Sequence, residues 1–140
     1  MNKSAIVIGI KGLNLSLDEK KLLQEKQPLG VILFRRNINN PKQVLSLTQS
    51  IRDILGKEAM ILIDQEGGKV SRLNKDYWKT YPDANYFGKI ANRNLAKAKR
   101  LTYKNFKDIG KDLNKLGINF NCAPVLDLKI KGASSVIGNR

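Results

Sequence analysis

Short apolar runs alternate along the chain with stretches whose apolar residues recur at helical spacing. Ser4–Ile10 (SAIVIGI) is brief and β-branched, and it predicts a buried strand. Ser16 and Glu19 follow as an S-x-x-E capping pair that opens a helix through about Glu25, which Pro28 breaks. Leu29–Phe34 (LGVILF) is apolar on both faces, as parallel strands tend to be. Asn40 as N-cap and Pro41 at the first helical position start a second helix. Val44, Leu47, Ile51 and Ile54 hold its apolar face, and Gly56 ends it. Ala59–Asp64 (AMILID) predicts a third strand, and a polar, aromatic connection runs from about Gln65 to Gly88. A long helix is expected from about Asn92 to Leu116, stopped by Gly117, and Ile118–Leu126 begins a fourth strand. The order β-α-β-α-β-α-β predicts an α/β fold with a parallel sheet and right-handed crossovers.

The polar motifs follow the predicted strands. Arg35-Arg36-Asn37 comes after the second, Asp64-Gln65-Glu66-Gly67-Gly68 after the third, and Ala123–Asp127 closes the fourth. Ligands bind at the carboxyl ends of strands in open α/β sheets and in β/α barrels, so these segments mark a candidate binding face. Asp64 ends an apolar strand and is expected to project into the mouth of a site, whereas Glu66 is expected to cap a helix or accept backbone N–H groups. Gly67-Gly68 permits positive φ but lacks the spacing of a phosphate cradle. Arg72, eight residues past Asp64, either folds back over the same pocket or lies as a solvated or ion-paired surface arginine; position alone does not choose. Arg36 and Asp127 are expected to be structural, and Cys122 to be a small buried residue. Tyr77, Trp78 and Tyr81 either stack on a flat ligand or bury their own loop.

Composition narrows the chemistry. The 140 residues suit one domain, contain a single cysteine and have no histidine. Disulfide frameworks, Cys-rich or His-ligated metal sites and Ser–His or Cys–His catalytic pairs are thereby excluded within this chain. No apolar run approaches the ~20 residues of a membrane span, and the first fifteen residues lack a secretory cleavage signature. The net charge of +14 suits a polyanion partner. It is equally what lysine, asparagine and isoleucine, with their A/T-rich codons, bring by composition. The lysines form no sequence block, so composition is the preferred reading and a nucleic-acid partner is not expected.

Taken together, Gly30–Asn37 (GVILFRRN), Ile63–Leu73 (IDQEGGKVSRL), Gly117–Leu128 (GINFNCAPVLDL) and Ile137–Arg140 (IGNR) resemble the family-3 glycoside hydrolases, nearest to their bacterial β-N-acetylglucosaminidase branch. Lys69 departs from the arginine more usual in that block. The resemblance implies the N-terminal half, about four β/α units, of a (β/α)8 barrel, with residues 1–140 as the front part of the catalytic domain, truncated before the catalytic residues. It implies retaining hydrolysis of terminal β-linked N-acetylglucosamine from cell-wall saccharides in the cytoplasm. It also implies no cofactor and no metal. By motif match, Asp64, Arg72 and Arg140 resemble sugar-binding residues. The family's histidine-containing acid/base loop and nucleophilic aspartate have no counterpart here, so the chain alone is expected to be inactive. A separate C-terminal half is a further expected partner. The alternatives are a non-catalytic sugar-binding half-barrel and a basic polyanion-binding protein.

Overall fold

The computed structural model describes residues 3–128, 130–132 and 136–137. Four parallel strands, β1 (Ser4–Gly9), β2 (Pro28–Leu33), β3 (Met60–Ile63) and β4 (Phe120–Asn121), lie side by side in chain order. Helices α1 (Leu17–Lys26) and α2 (Pro41–Leu55) connect the first three strands. A pair, α3 (Ala84–Ala91) and α4 (Leu95–Lys115), precedes β4. This is the parallel βα succession read from the sequence, with each crossover returning over the sheet.

The helix starts follow local chemistry. The Ser16 hydroxyl accepts from the Glu19 backbone N–H at 3.1 Å while the Glu19 carboxylate accepts from the Ser16 N–H at 2.8 Å. Burial opposes ionisation of Glu19, but the hydrogen bonds from Ser16 and Lys11 outweigh it and hold the carboxyl below its usual range. Asn40 caps α2 through the Gln43 N–H at 3.0 Å, with Pro41 at the first position. Gly56 closes it with φ at 89°.

The core lies between the sheet and its helices. Val31, Leu33, Ile61 and Ile63 pack with Leu23, Val44, Leu47 and Ile51, all at 0 or 1% exposure. These strand residues alternate with Gly30, Ile32, Met60 and Leu62 on the opposite face, as a pleated strand requires. At Gly30 the neighbouring strand comes so close that a Cβ would meet the Met60 carbonyl.

Three expectations need correction. The first strand is not buried: Ile6 and Val7 are 49% and 40% exposed because β1 is an edge strand with a neighbour on one side only. The stretch read as a connection to Gly88 contains α3, which Asp83 caps through the Tyr86 N–H at 3.0 Å. The long helix accordingly starts at Leu95, capped by Asn94. The fourth strand covers only Phe120–Asn121 of the expected Ile118–Leu126. Asn119 and Cys122 still donate their N–H groups to the Ile61 and Ile63 carbonyls, but asparagine side chains take the neighbouring bonds. Asn119 Oδ1 accepts from the Ile61 N–H at 2.8 Å and its Nδ2 donates to the Ala59 carbonyl at 3.1 Å. Pro124 then has no N–H to continue the pairing.

Candidate functional site

Asp64 is the first residue past β3, at its carboxyl end. Arg72 folds back over it, and Nη2 donates to Asp64 Oδ2 at 2.8 Å with both side chains about a quarter exposed (26% and 23%). Arg72 is therefore not solvated on its own but ion-paired, with the Asp64 carboxylate as its partner. The guanidinium also lies 5.9 Å from the Phe34 ring centroid, whose nearer cation is Arg36 at 4.6 Å. Arg72 Nε is buried and has no hydrogen-bond partner among the described residues.

What holds this pair is Gln65, which sequence reasoning passed over. Its side chain is fully buried. Oε1 accepts from the backbone N–H groups of Arg72 at 2.9 Å and Leu73 at 3.2 Å, and Nε2 donates to Ser71 Oγ at 2.8 Å. Its backbone N–H and carbonyl bond to the Asn121 side-chain amide, at 3.0 Å each. One residue therefore fixes the returning arm that carries Arg72 and ties the end of β3 to β4. The only sequence signal for it was a polar residue directly behind an apolar strand.

The turn between these arms is made by the two glycines, with φ at 102° for Gly67 and 57° for Gly68. Gly67 forms an isolated antiparallel bridge with Val70, and a Cβ on it would collide with the Pro82 carbonyl. Gly68 donates to the Tyr81 carbonyl at 2.8 Å, binding the loop to the segment before α3. The N-cap of the next helix is Asp83, so Glu66 does not cap it.

The remaining candidates separate into three groups. Arg36 is structural, its Nε donating to the Ile10 carbonyl at 2.9 Å. Asn37, fully buried, joins it by donating to the carbonyls of Ile10 and Gly12 at 3.1 and 2.8 Å. Tyr81 and Trp78 pack against the core, and the Tyr81 hydroxyl donates to Asp112 Oδ2 at 2.7 Å. Burial, then the Asp112 hydrogen bond and charge, push the Tyr81 phenol far above its ordinary range. Tyr77 stays 58% exposed. Asp127 is exposed and has no side-chain partner among the described residues, so it holds no structure together. Cys122 overturns its expected burial. It is exposed beside Asp64, because strand alternation assigns a face but not a cover for that face. Desolvation of the thiol, then the Asp64 carboxylate beside it, push its pKa up. Arg140 lies outside the described residues.

No three of the described Cys, Asp and Glu side chains are grouped as metal ligands. No described helix is long and apolar enough to cross a membrane.

The chain is 35% identical over 135 residues to a β-hexosaminidase of Alkalilimnicola ehrlichii and 34% identical to that of Bordetella pertussis. Each alignment takes in 96% of this chain and 38% of the relative. Among solved structures, NagZ from Neisseria gonorrhoeae in complex with N-trifluoroacetyl-D-glucosamine superposes with a TM-score of 0.91 at 32% identity. That match covers 99% of this chain and 40% of NagZ. A family-3 β-N-acetylglucosaminidase from Paenibacillus sp. gives a TM-score of 0.74 at 36% identity, over 87% of this chain and 23% of that one. The four-stranded parallel α/β arrangement is thus the half-barrel shared with these enzymes. Residues 4–140 match the family model described as the glycosyl hydrolase family 3 N-terminal domain, and the chain belongs to that family.

Proposed function

We propose that this chain forms the sugar-holding part of a retaining β-N-acetylhexosaminidase. Its substrate class would be terminal β-linked N-acetylglucosamine in cell-wall saccharides, handled in the cytoplasm. The observation that carries this reading is the Asp64–Arg72 pair, which joins an acceptor to a fork of donors at the carboxyl end of a strand. A carboxylate accepts from sugar hydroxyls, while the guanidinium N–H groups not committed to Asp64 donate to sugar oxygens. The unpartnered Arg72 Nε adds a buried donor whose satisfaction would favour a bound oxygen. Arg140 is proposed, by motif match, as a third group on the same sugar.

In this reading the chain binds and orients, and supplies neither nucleophile nor acid/base. Retaining hydrolysis needs a nucleophile and an acid/base on opposite sides of the scissile bond. Asp64 is ion-paired with Arg72, and its motif match is to a binding residue, so neither post is assigned to it. Both would come from the part of the family's catalytic domain that has no counterpart in these residues.

The test is titration of the chain with N-acetylglucosamine, followed by NMR shifts, for wild type and Asp64→Ala. Saturable binding that weakens at least tenfold in the variant is expected, since a charge-assisted hydrogen bond contributes roughly 1.5–3 kcal/mol. Superimposable isotherms would remove Asp64 from the site. Mixing with the C-terminal portion of a β-hexosaminidase should yield hydrolysis of a chromogenic N-acetylglucosaminide, and the chain alone should yield none.

A further inference from the structure

The lysines that form no block in the sequence form a line on the molecule. Lys97, Arg100, Lys104, Lys107 and Lys111 step by three and four along α4, and all are exposed. At ~1.5 Å per residue the line runs about 21 Å. The opposite side of the helix buries Ala98, Asn105, Ile109 and Leu113. The helix's two acids lie on its flank and are engaged elsewhere, Asp108 with Lys79 at 3.5 Å and Asp112 with Tyr81 at 2.7 Å and Lys115 at 3.7 Å. No carboxylate among the described residues pairs with any of the five. Like charges at this spacing repel, and the first turn has no acid to offset them, so the line works against the helix that bears it.

Aromatic rings accompany the cations. Tyr103, 69% exposed, flanks the line, with the Lys107 ammonium 5.7 Å from its ring centroid. At its far end Lys111 also lines a groove of about 660 Å³ whose wall includes Lys42, Tyr77 and Trp78, and also Asp108 and Asp112, each met there by a lysine. A row of cations that tracks a backbone, beside rings on which bases stack, is how single strands are bound without sequence preference. A lipid surface fits less well, since an interfacial helix turns its apolar face to the membrane and this helix turns that face to the core.

We propose that the exposed face of α4, continuing into the Tyr77–Trp78 groove, is a binding surface for single-stranded nucleic acid, independent of the Asp64 site. The experiment measures anisotropy of a fluorescein-labelled oligouridylate dodecamer with the full chain across a salt series. Five phosphate contacts predict a slope of about −3.5 in log K against log salt, at roughly −0.7 per contact. Two charge-matched variants decide the location. One changes the five line residues to Gln, which preserves helix propensity. The other changes exposed Lys20, Lys21, Lys26, Lys57 and Lys75 to Gln. Circular dichroism verifies that both remain folded. The line variant should lose most of the slope and the control should keep it, while Tyr103→Ala should weaken binding about tenfold without altering the slope. Equal losses in the two charge variants would reduce the effect to net charge and overturn the proposal. So would a flat salt response, an inert Tyr103→Ala, or tighter binding to phosphatidylcholine–phosphatidylglycerol vesicles than to the oligonucleotide.

Discussion

Two polar motifs follow neighbouring strands, and only one of them is built. The segment from Asp64 to Leu73 closes on itself through Gln65, Ser71, the Gly67–Val70 bridge and the Asp64–Arg72 pair. The segment from Ala123 to Leu128 carries an equally recognisable motif, yet Leu126 and Leu128 are 84% and 77% exposed and Asp127 has no partner among the described residues. The first loop contains its own supports, a buried amide and two glycines in left-handed conformation, within ten residues of chain. The second has apolar side chains and nothing local to bury them against. A motif becomes a preorganised site when its supporting contacts lie within reach of its own backbone.

The sharpest way to break the contrast is to remove the internal support. Gln65→Leu leaves the Arg72 and Leu73 N–H groups without their acceptor, while the Ser71 hydroxyl keeps its bond to the Leu73 carbonyl. Each orphaned donor costs about 1–3 kcal/mol, so a loss of at least ~2 kcal/mol is expected in urea unfolding. The same variant should release Arg72 from Asp64, seen as sharpened and shifted Arg72 Nε–Hε resonances. An unchanged urea midpoint would mean that the loop is held by something other than Gln65.

Next in size is the turn. Gly67→Ala introduces a Cβ at φ 102° against the Pro82 carbonyl, and strain of this kind costs about 1–3 kcal/mol. Gly110→Ala, in α4 where a Cβ meets nothing within 4 Å, is the matched comparison. It should be neutral or stabilising, by up to ~1 kcal/mol, because alanine is the better helix former. The two thermal unfolding shifts should therefore have opposite signs.

How much of this was legible in the sequence follows the same line between local and distant support. The Ser16–Glu19 box, the Asn40–Pro41 start and the Gly56 stop were read correctly because each is complete within a few residues. Asp64 and Arg72 were legible as chemistry, but their meeting needed the turn and Gln65, and a buried glutamine has no periodic signature. Helix α3 had a signal that was passed over, Asp83 as N-cap with Phe87 and Ala91 four residues apart. The extent of β4 was not readable, since asparagine side chains, and not main-chain carbonyls, accept from the Ile61 and Gln65 N–H groups. The burial of Cys122 and Ile6 was misjudged for one reason. Alternation tells which side of a sheet a residue faces, and whether that side is covered depends on chain far away or on another molecule.

Cys122 also reports on the built site. Its thiol pKa is raised by desolvation and by Asp64, so the thiolate is scarce at neutral pH and alkylation should be slower than for a free cysteine. Asp64→Asn removes the charge and should lower that pKa, speeding iodoacetamide labelling several-fold near pH 8, with the difference closing as rising pH ionises the thiol in both. Equal rates across the whole range would place Cys122 out of Asp64's influence. The substitution leaves Gln65 and its hydrogen bonds in place, so the unfolding midpoint should move far less than in Gln65→Leu.

The smallest effect is expected where the second motif lies open. Leu126→Ser exchanges an 84% exposed side chain for a polar one. With almost no area withdrawn from water on folding, transfer energetics give the leucine almost nothing to lose, and surface changes of this kind fall within about ±0.5 kcal/mol. Ile61→Ala, in the fully buried core of β3, supplies the scale at roughly 2–5 kcal/mol. If a complementary half-barrel is added and Leu126 becomes covered, the serine variant should then weaken the association, with the cost appearing only in the complex. That change from silent to costly would show that the open loop lacks a neighbour. A cost already present in the isolated chain would mean that Leu126 has found burial of its own, and the difference between the two loops would vanish.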